Sequence, residues 1–234
     1  VTGQDDAKRV AGERAIAEYL ADGLRVGLGS GTTSRWFVRT LAKPVADGLT
    51  ITGVVTSQTT AEVAAEAKVP LADLNDVLEL DIAIDGADEI DAAGNMIKGG
   101  GGALLWEKIV ATAAKKMVAL VDDSKVVEKL GKFPLPVEVI PFGWRSTERH
   151  LRRALADFGY ADPKIELRMR DGDIMRTDGG HYILDAHLKQ IDDAPALAAR
   201  LNTIPGVVEH GLFIGIAAAV VIGHPDGSSD IRHF

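Results

Sequence analysis

The stretch Leu24-Arg25-Val26-Gly27-Leu28-Gly29-Ser30-Gly31-Thr32-Thr33-Ser34 decides the fold class. Leu24 to Leu28 is a short apolar run, Gly29-Ser30-Gly31 is a turn, and Thr32 and Thr33 open a helix reaching Leu41. A strand that feeds a helix through a glycine turn is the first half of a βαβ unit. Glycines allow a tight turn and close backbone approach, and the free N–H groups of a helix start attract anions. The segment is not a dinucleotide fingerprint, because the third glycine would fall at position 32, which is Thr. Nor is it a P-loop, since no Gly-Lys-Ser/Thr closes it. A capped helix start after a glycine turn is the plain alternative.

Working outward, the same alternation repeats. Asp5 to Ala21 carries Val10, Ile16, Ala17 and Leu20 at helical spacing before the stop at Gly23. Strands are expected at Ile51–Val55, Leu80–Ile84 and Met117–Val121, with helices at Thr60–Ala67 and Ala103–Ala114. Alternating strands and helices give an α/β fold on a parallel sheet. Ligands of such sheets gather at the carboxyl ends of the strands, where every glycine- or acid-rich turn of this half falls. Beyond Gly131 the composition shifts, with Pro134, Pro136 and Pro141 close together. A helix over Arg145–Phe158, strands at Ile165–Met169, Asp173–Met175 and His181–Asp185, and a helix over Ala194–Leu201 describe a smaller α+β block. Leu212 to Ile222 reads as strand that rejoins the first sheet. The expected division is therefore 1–131 plus 208–234 for the larger domain and 132–207 for the smaller.

Hydrophobic residues are 46% and charged residues 26% of the 234, the composition of a soluble globular protein. A formal net charge of −8 argues against a nucleic-acid or anionic-membrane surface. With no cysteine, thiol catalysis and disulfides are excluded and a cytoplasmic location is unopposed. The N-terminal Val1–Asp6 is polar, lacks a signal-peptide pattern and, starting without Met, reads as processed or trimmed.

Four further features carry chemistry. Asp85-Gly86-Ala87-Asp88-Glu89-Ile90-Asp91 taken alone reads first as a solvated Asx turn, with a cation loop or a carboxylate pair that contacts sugar hydroxyls as alternatives. Lys98-Gly99-Gly100-Gly101-Gly102 is more specific, because four glycines cost backbone entropy and supply no packing unless backbone must wrap a ligand. Glu107 follows on a helix, sharing a side with Ala103 and Ala111, which leave room beside its carboxylate. Lys125 comes just after the last strand of the series, and taken alone is an ordinary surface lysine. The six histidines show no metal-ligand spacing, so neither a zinc site nor a histidine base is expected.

These motifs in this order, continued by Gly131-Lys132-Phe133-Pro134-Leu135-Pro136-Val137-Glu138-Val139-Ile140-Pro141 and Ile204-Pro205-Gly206-Val207-Val208, resemble type A ribose-5-phosphate isomerases over nearly the whole chain. The resemblance implies a Rossmann-like large domain, a small α+β domain, a homodimer or homotetramer, a sugar phosphate substrate and no metal or cofactor. It places Ser30, Gly31, Thr32 and Thr33 in a first substrate loop. Asp85, Gly86, Ala87 and Asp88 form a second, and Lys98, Gly99, Gly100 and Gly101 a third. Lys125 corresponds to a further substrate-contacting lysine, Lys8 to an N-terminal lysine near the phosphate, and Glu107 to the proton acceptor. Trp106 departs from the family pattern, standing where other members carry Arg.

The implied reaction takes a proton from C2 of open-chain ribose 5-phosphate and returns it to C1 of an enediolate. Asp85, Asp88 and Lys98 would assist Glu107, and N–H groups of the Gly29–Thr33 loop would meet the oxyanion. Two other classes compete: a sugar-phosphate sensor domain of a transcription regulator, and a deaminase or CoA-transferase on a related scaffold. A sensor would bring a helix-turn-helix and a basic patch, neither of which is read here. A deaminase would release ammonia from an amino-sugar phosphate.

Overall fold

The computed structural model describes residues 3–234, so Val1 and Thr2 of the polar N-terminal segment lie outside the described residues. The chain forms two compact units. The first comprises the residues up to Ala87 with Trp106–Val126 and Gly215–Phe234, the second Asp88–Leu105 with Val127–Ile214.

Numbered along the chain, the first unit holds β1 (Leu24–Leu28), β2 (Ile51–Val55), β3 (Ile82–Gly86), β6 (Met117–Asp122), β14 (Ala217–Gly223) and β15 (Ser229–His233). They form one sheet in the order β2-β1-β3-β6-β14-β15, parallel except for the antiparallel edge strand β15. Its helices are α1 (Gly3–Tyr19), α2 (Gly31–Thr40), α3 (Ala42–Ala46), α4 (Gln58–Glu66), α5 (Leu74–Val77) and α6 (Leu104–Thr112). From β1 the chain steps to β2 on one side and then to β3 on the other. This reversal is the topological switch point, and it opens a crevice at the carboxyl ends of β1 and β3.

Strand alternation explains the two faces. Val26 and Leu28 are fully buried against Ala11, Ala15 and Phe37, so α1 and α2 cover that face. Gly27 points the other way, where a Cβ would come within 2.6 Å of Val110 on α6. The buried side of α1 is Ala7, Ala11, Gly12 and Ala15, not the larger stripe through Val10, Ile16 and Leu20 that the apolar spacing suggests. Small residues let backbones meet: a Cβ on Gly12 would lie 3.2 Å from Phe37 Cα.

The second unit carries three sheets. One is antiparallel, in the order β12-β7-β11-β8, from Val207–His210, Leu135–Val139, Tyr182–His187 and Lys164–Leu167. A small one pairs β13 (Leu212–Phe213), β5 (Met96–Ile97) and β4 (Glu89–Ile90), and a hairpin pairs β9 (Met169–Arg170) with β10 (Asp173–Ile174). The helices α7 (Trp144–Ala156) and α8 (Ala194–Leu201) bury Leu151, Leu155, Leu197 and Leu201 with Val137 and Leu184 of the sheet. Strand β7 is unexpected, because Pro136 lies in it and proline cannot donate to a ladder. Pro136 pairs with Asp185 all the same, and its carbonyl accepts the Gly211 N–H at 2.8 Å, so only one donor is lost. The expected strand over Leu212–Ile222 is two strands, broken near Gly215 at φ +62°. Among the described residues, no helix is long and apolar enough to cross a membrane.

Three outcomes follow for stability. A Cβ on Gly223 would fall 1.9 Å from the Ala7 carbonyl oxygen, so Gly223→Ala should cost about 1–3 kcal/mol and lower the thermal midpoint. Gly101→Ala, with nothing within 4 Å of the added Cβ, should leave the midpoint unchanged. Asp81 accepts the Arg25 backbone N–H at 2.9 Å and the Lys115 ammonium at 3.0 Å, and these hold its carboxyl at about 2. Its folded value is depressed, so this stabilisation is complete above about pH 4 and lost as pH falls toward 2. The difference in urea midpoint between wild type and Asp81→Asn should therefore be present at neutral pH and shrink over that interval.

Candidate active site

The switch point is built around a buried carboxylate. Gly29 prolongs β1, its N–H donating to the Ile84 carbonyl at 3.0 Å. A Cβ there would lie 2.0 Å from Asp85 Oδ1, so only glycine lets the Asp85 side chain cross beneath the loop. Asp85, at the end of β3, is 4% exposed. Its Oδ1 accepts from the Ser30 N–H at 3.1 Å, the Ser34 hydroxyl at 2.8 Å and its neighbouring Gly86 N–H at 2.7 Å. The Gly86 N–H also reaches Ser34 Oγ at 2.9 Å. Ser34 is wholly buried in α2 and serves both as donor and acceptor.

Glu107 lies in the first turn of α6 and is 5% exposed, unlike the solvated glutamate usual on a helix. The Ser30 hydroxyl donates to its Oε1. Glu107 lies among Gly27, Gly29, Thr56, Asp85 and Ala111, packed too closely to admit a water-sized group, so the room expected from the small side chains is closed in this structure. Ser30 occupies the N-cap position of α2 but makes no side-chain capping bond there, in contrast to a simple capped start. Its hydroxyl is committed to Glu107 instead. Gly31, at φ +81°, turns the chain into the helix, and Thr32 and Thr33 form its first turn, exposed and half-buried. The Gly29 and Ser30 N–H groups are taken by Ile84 and Asp85, which corrects the expectation that the whole Gly29–Thr33 loop offers donors. Gly86 and Ala87 are half-buried, with Gly86 against Thr33. Lys125 ends the turn after β6, half-buried, one strand away from Asp85 and outside the bonded group of Ser30, Ser34, Asp85 and Glu107.

Within the second unit, Asp88 and the glycine run are joined directly. Asp88 Oδ2 accepts the Gly100 N–H at 2.8 Å, and the Asp88 N–H donates to the Ile97 carbonyl at 2.8 Å. Lys98 is 2% exposed, its backbone N–H bonded to the Gly211 carbonyl at 2.9 Å and its ammonium 5.4 Å from the Phe213 ring centre. An aromatic face is a favourable neighbour for a buried cation. Gly99 and Gly102 have φ of +101° and +91°, which L side chains rarely adopt. Gly101 is exposed.

Sequence reasoning passed over Ser34, Arg168, Arg170 and Asp185. Ser34 had a signal, four residues after Ser30 and so on the same side of the helix. The two arginines, which donate to the carbonyls of Gly99, Gly100 and Gly101, had none. Trp106 is 40% exposed and lines an open surface cavity together with Val54, Leu74 and Ile109, on an outward face of α6. Among the described residues, no three His, Cys, Asp or Glu side chains converge as metal ligands.

The family model for ribose 5-phosphate isomerase A (phosphoriboisomerase A) matches residues 52–227. Ribose-5-phosphate isomerase A 2 of Yersinia pseudotuberculosis is 50% identical over 230 residues, covering 98% of this chain and 98% of its own. The enzyme of Ruegeria sp. strain TM1040 is 52% identical over 97% of this chain and 87% of its own. Among solved structures, ribose 5-phosphate isomerase from Plasmodium falciparum superposes with a TM-score of 0.92 at 30% identity, over 98% and 99% of the two chains. A D-ribose-5-phosphate isomerase in complex with phospho-erythronic acid gives 0.89 at 37% identity, over 97% and 98%. The fold, the motif order and these likenesses agree along the whole length: the chain belongs to the ribose 5-phosphate isomerase A family, the enzymes that interconvert ribose 5-phosphate and ribulose 5-phosphate in the pentose phosphate pathway.

Proposed function

We propose that Glu107 is the base of this isomerisation. The observation that carries the reading is a buried carboxylate at the switch point of the sheet, held by the hydroxyl of Ser30, whose N–H binds Asp85. Glu107 takes the proton from C2 of the open-chain aldose, electrons move toward O1, and an enediolate forms. The same carboxyl then gives the proton to C1 while O2 loses its own, leaving the ketose. One base on one face serves both transfers, worth about 10²–10⁴-fold over no base.

Asp85 is assigned the hydroxyl side of this exchange, binding O1 and O2 and relaying their proton, with Asp88 and Lys98 as further members. Three donors on Asp85 Oδ1 fix the plane of that carboxylate and keep it from swinging toward the loop. The phosphate is assigned to the start of α2, where the N–H groups of Gly31, Thr32 and Thr33 belong to the helix terminus, a setting that favours anions. Lys125, Gly86, Ala87 and the run Gly99 to Gly101 complete the substrate contacts on the strength of the family resemblance. The acid bound in one solved relative, phospho-erythronic acid, joins a phosphate to a sugar acid and fits this class of substrate. The same resemblance supports a cytoplasmic homodimer or homotetramer that works without metal or cofactor.

The first test incubates EDTA-treated protein with ribose 5-phosphate and follows ketose formation. Wild type should remain active, and Glu107→Gln should lose about 10²–10⁴-fold in kcat while still binding the sugar phosphate. Equal loss of binding and turnover would assign Glu107 a structural or binding role instead. Ser34→Ala removes a hydrogen bond to a charged group, an effect of about 1.5–3 kcal/mol. It should lower kcat about ten- to hundred-fold. In an Asp85→Asn background the same change should have little further effect, since Ser34 acts through Asp85.

A further inference from the structure

We propose that Arg168 is a positioning residue that sets the conformation of the Lys98–Gly102 loop and thereby its affinity for the sugar phosphate. The inference rests on the reading of that loop as a substrate loop.

Four successive glycines have little intrinsic preference for one conformation, and ordering them costs backbone entropy that no side-chain packing offsets. Something outside the loop must therefore hold it. Arg168 stands between β8 and β9 with both backbone groups used: its N–H donates to the Ile183 carbonyl at 2.9 Å, and its carbonyl accepts from Met175 at 3.0 Å. Its side chain is 13% exposed and is gripped by Asp185 of β11, Nε to Oδ2 at 2.8 Å and Nη2 to Oδ1. That fork fixes the guanidinium plane. The remaining Nη1 reaches the carbonyls of Gly99 at 2.7 Å and Gly100 at 3.1 Å. Arg170 adds a contact from Nη2 to the Gly101 carbonyl at 3.3 Å.

Three consecutive carbonyls are thus turned toward two arginines on one stretch of chain. The rest of the loop is closed by Gly102 N–H to the Gly99 carbonyl at 3.0 Å and Gly100 N–H to Asp88 at 2.8 Å. The carbonyl held most tightly by Arg168 is also the one that accepts from Gly102, so releasing it loosens both ends of the turn. Lysine cannot replace this arrangement. A single ammonium lacks the planar fork that binds Asp185 and two carbonyls at once.

The test uses Arg168→Lys in the full-length protein, with Asp185→Asn as a second variant that leaves the arginine but removes its charged partner. Hydrogen exchange of the peptide containing Gly100 and Gly102 is read together with KM and kcat for ribose 5-phosphate. The expected result is at least tenfold faster exchange in that peptide, unchanged exchange along β11, KM raised about ten- to hundredfold, and kcat within a few-fold of wild type. Unchanged exchange in both variants would overturn the proposal and leave the substrate-loop reading standing. Faster exchange with unaltered KM would instead remove the loop from substrate binding, and the role of Arg168 with it. If the lysine variant does not fold, the asparagine variant is read by the same criteria.

Discussion

A carboxylate withdrawn from water must be met by hydrogen bonds or lose its charge, and Asp85 is such a carboxylate at the centre of the crevice. Much of the surrounding first unit follows from satisfying it. Its Oδ1 collects donors from the loop after β1, from α2 and from its own strand end, which ties three elements to one atom. Position 29 is closed to any residue with a Cβ, because that carbon would occupy the space of the carboxylate. Position 34 needs a small hydroxyl that donates to Asp85 and accepts from Gly86. Once Ser30 N–H is spent on Asp85, its hydroxyl is left to address Glu107 on α6. The two acids are thereby placed by a single residue, one through its backbone and one through its side chain.

The second unit solves a different problem by similar means. Its glycine loop is freed from side-chain sterics, which allows the positive φ values at Gly99 and Gly102 but provides nothing to hold them. Charge-assisted bonds from Arg168 supply the missing constraint, and Asp185 in turn supplies the geometry of Arg168. Asp88 takes the one loop N–H that faces it. Flexible backbone is thus combined with rigid support, the arrangement expected where backbone itself must recognise a ligand.

Local pattern carried far in this chain. Strand β1, strand β2, helix α8 and the start of β6 fall where hydrophobic runs and glycine stops put them, since those signals are set by neighbours in sequence. The failures have physical causes too. Strand β7 hides behind Pro136, whose lost donor is tolerated because its carbonyl and its partner Asp185 still pair. Edge strand β15 is polar and largely exposed, so it lacks an apolar run, although Pro225-Asp226-Gly227-Ser228 before it is a turn signature. Helix α1 buries alanines and a glycine, a close-packing face that an apolarity pattern ranks below Val10 and Ile16.

What the sequence determined by itself was the strand–helix alternation of the first unit, the family, and the short segments that carry chemistry, because each is written in contiguous residues. Only the tertiary structure decided which polar groups remain available within those segments. Gly29 and Ser30 N–H groups look like anion donors in the chain and prove to be committed, since their acceptors come from residues more than fifty positions away. Ser34 and Arg168 gain their meaning in the same way, through Asp85 and Gly99, partners about fifty and seventy positions away. Burial is the physical reason: it turns Glu107 from an ordinary helix glutamate into an enclosed carboxylate, and burial is a property of the packed chain.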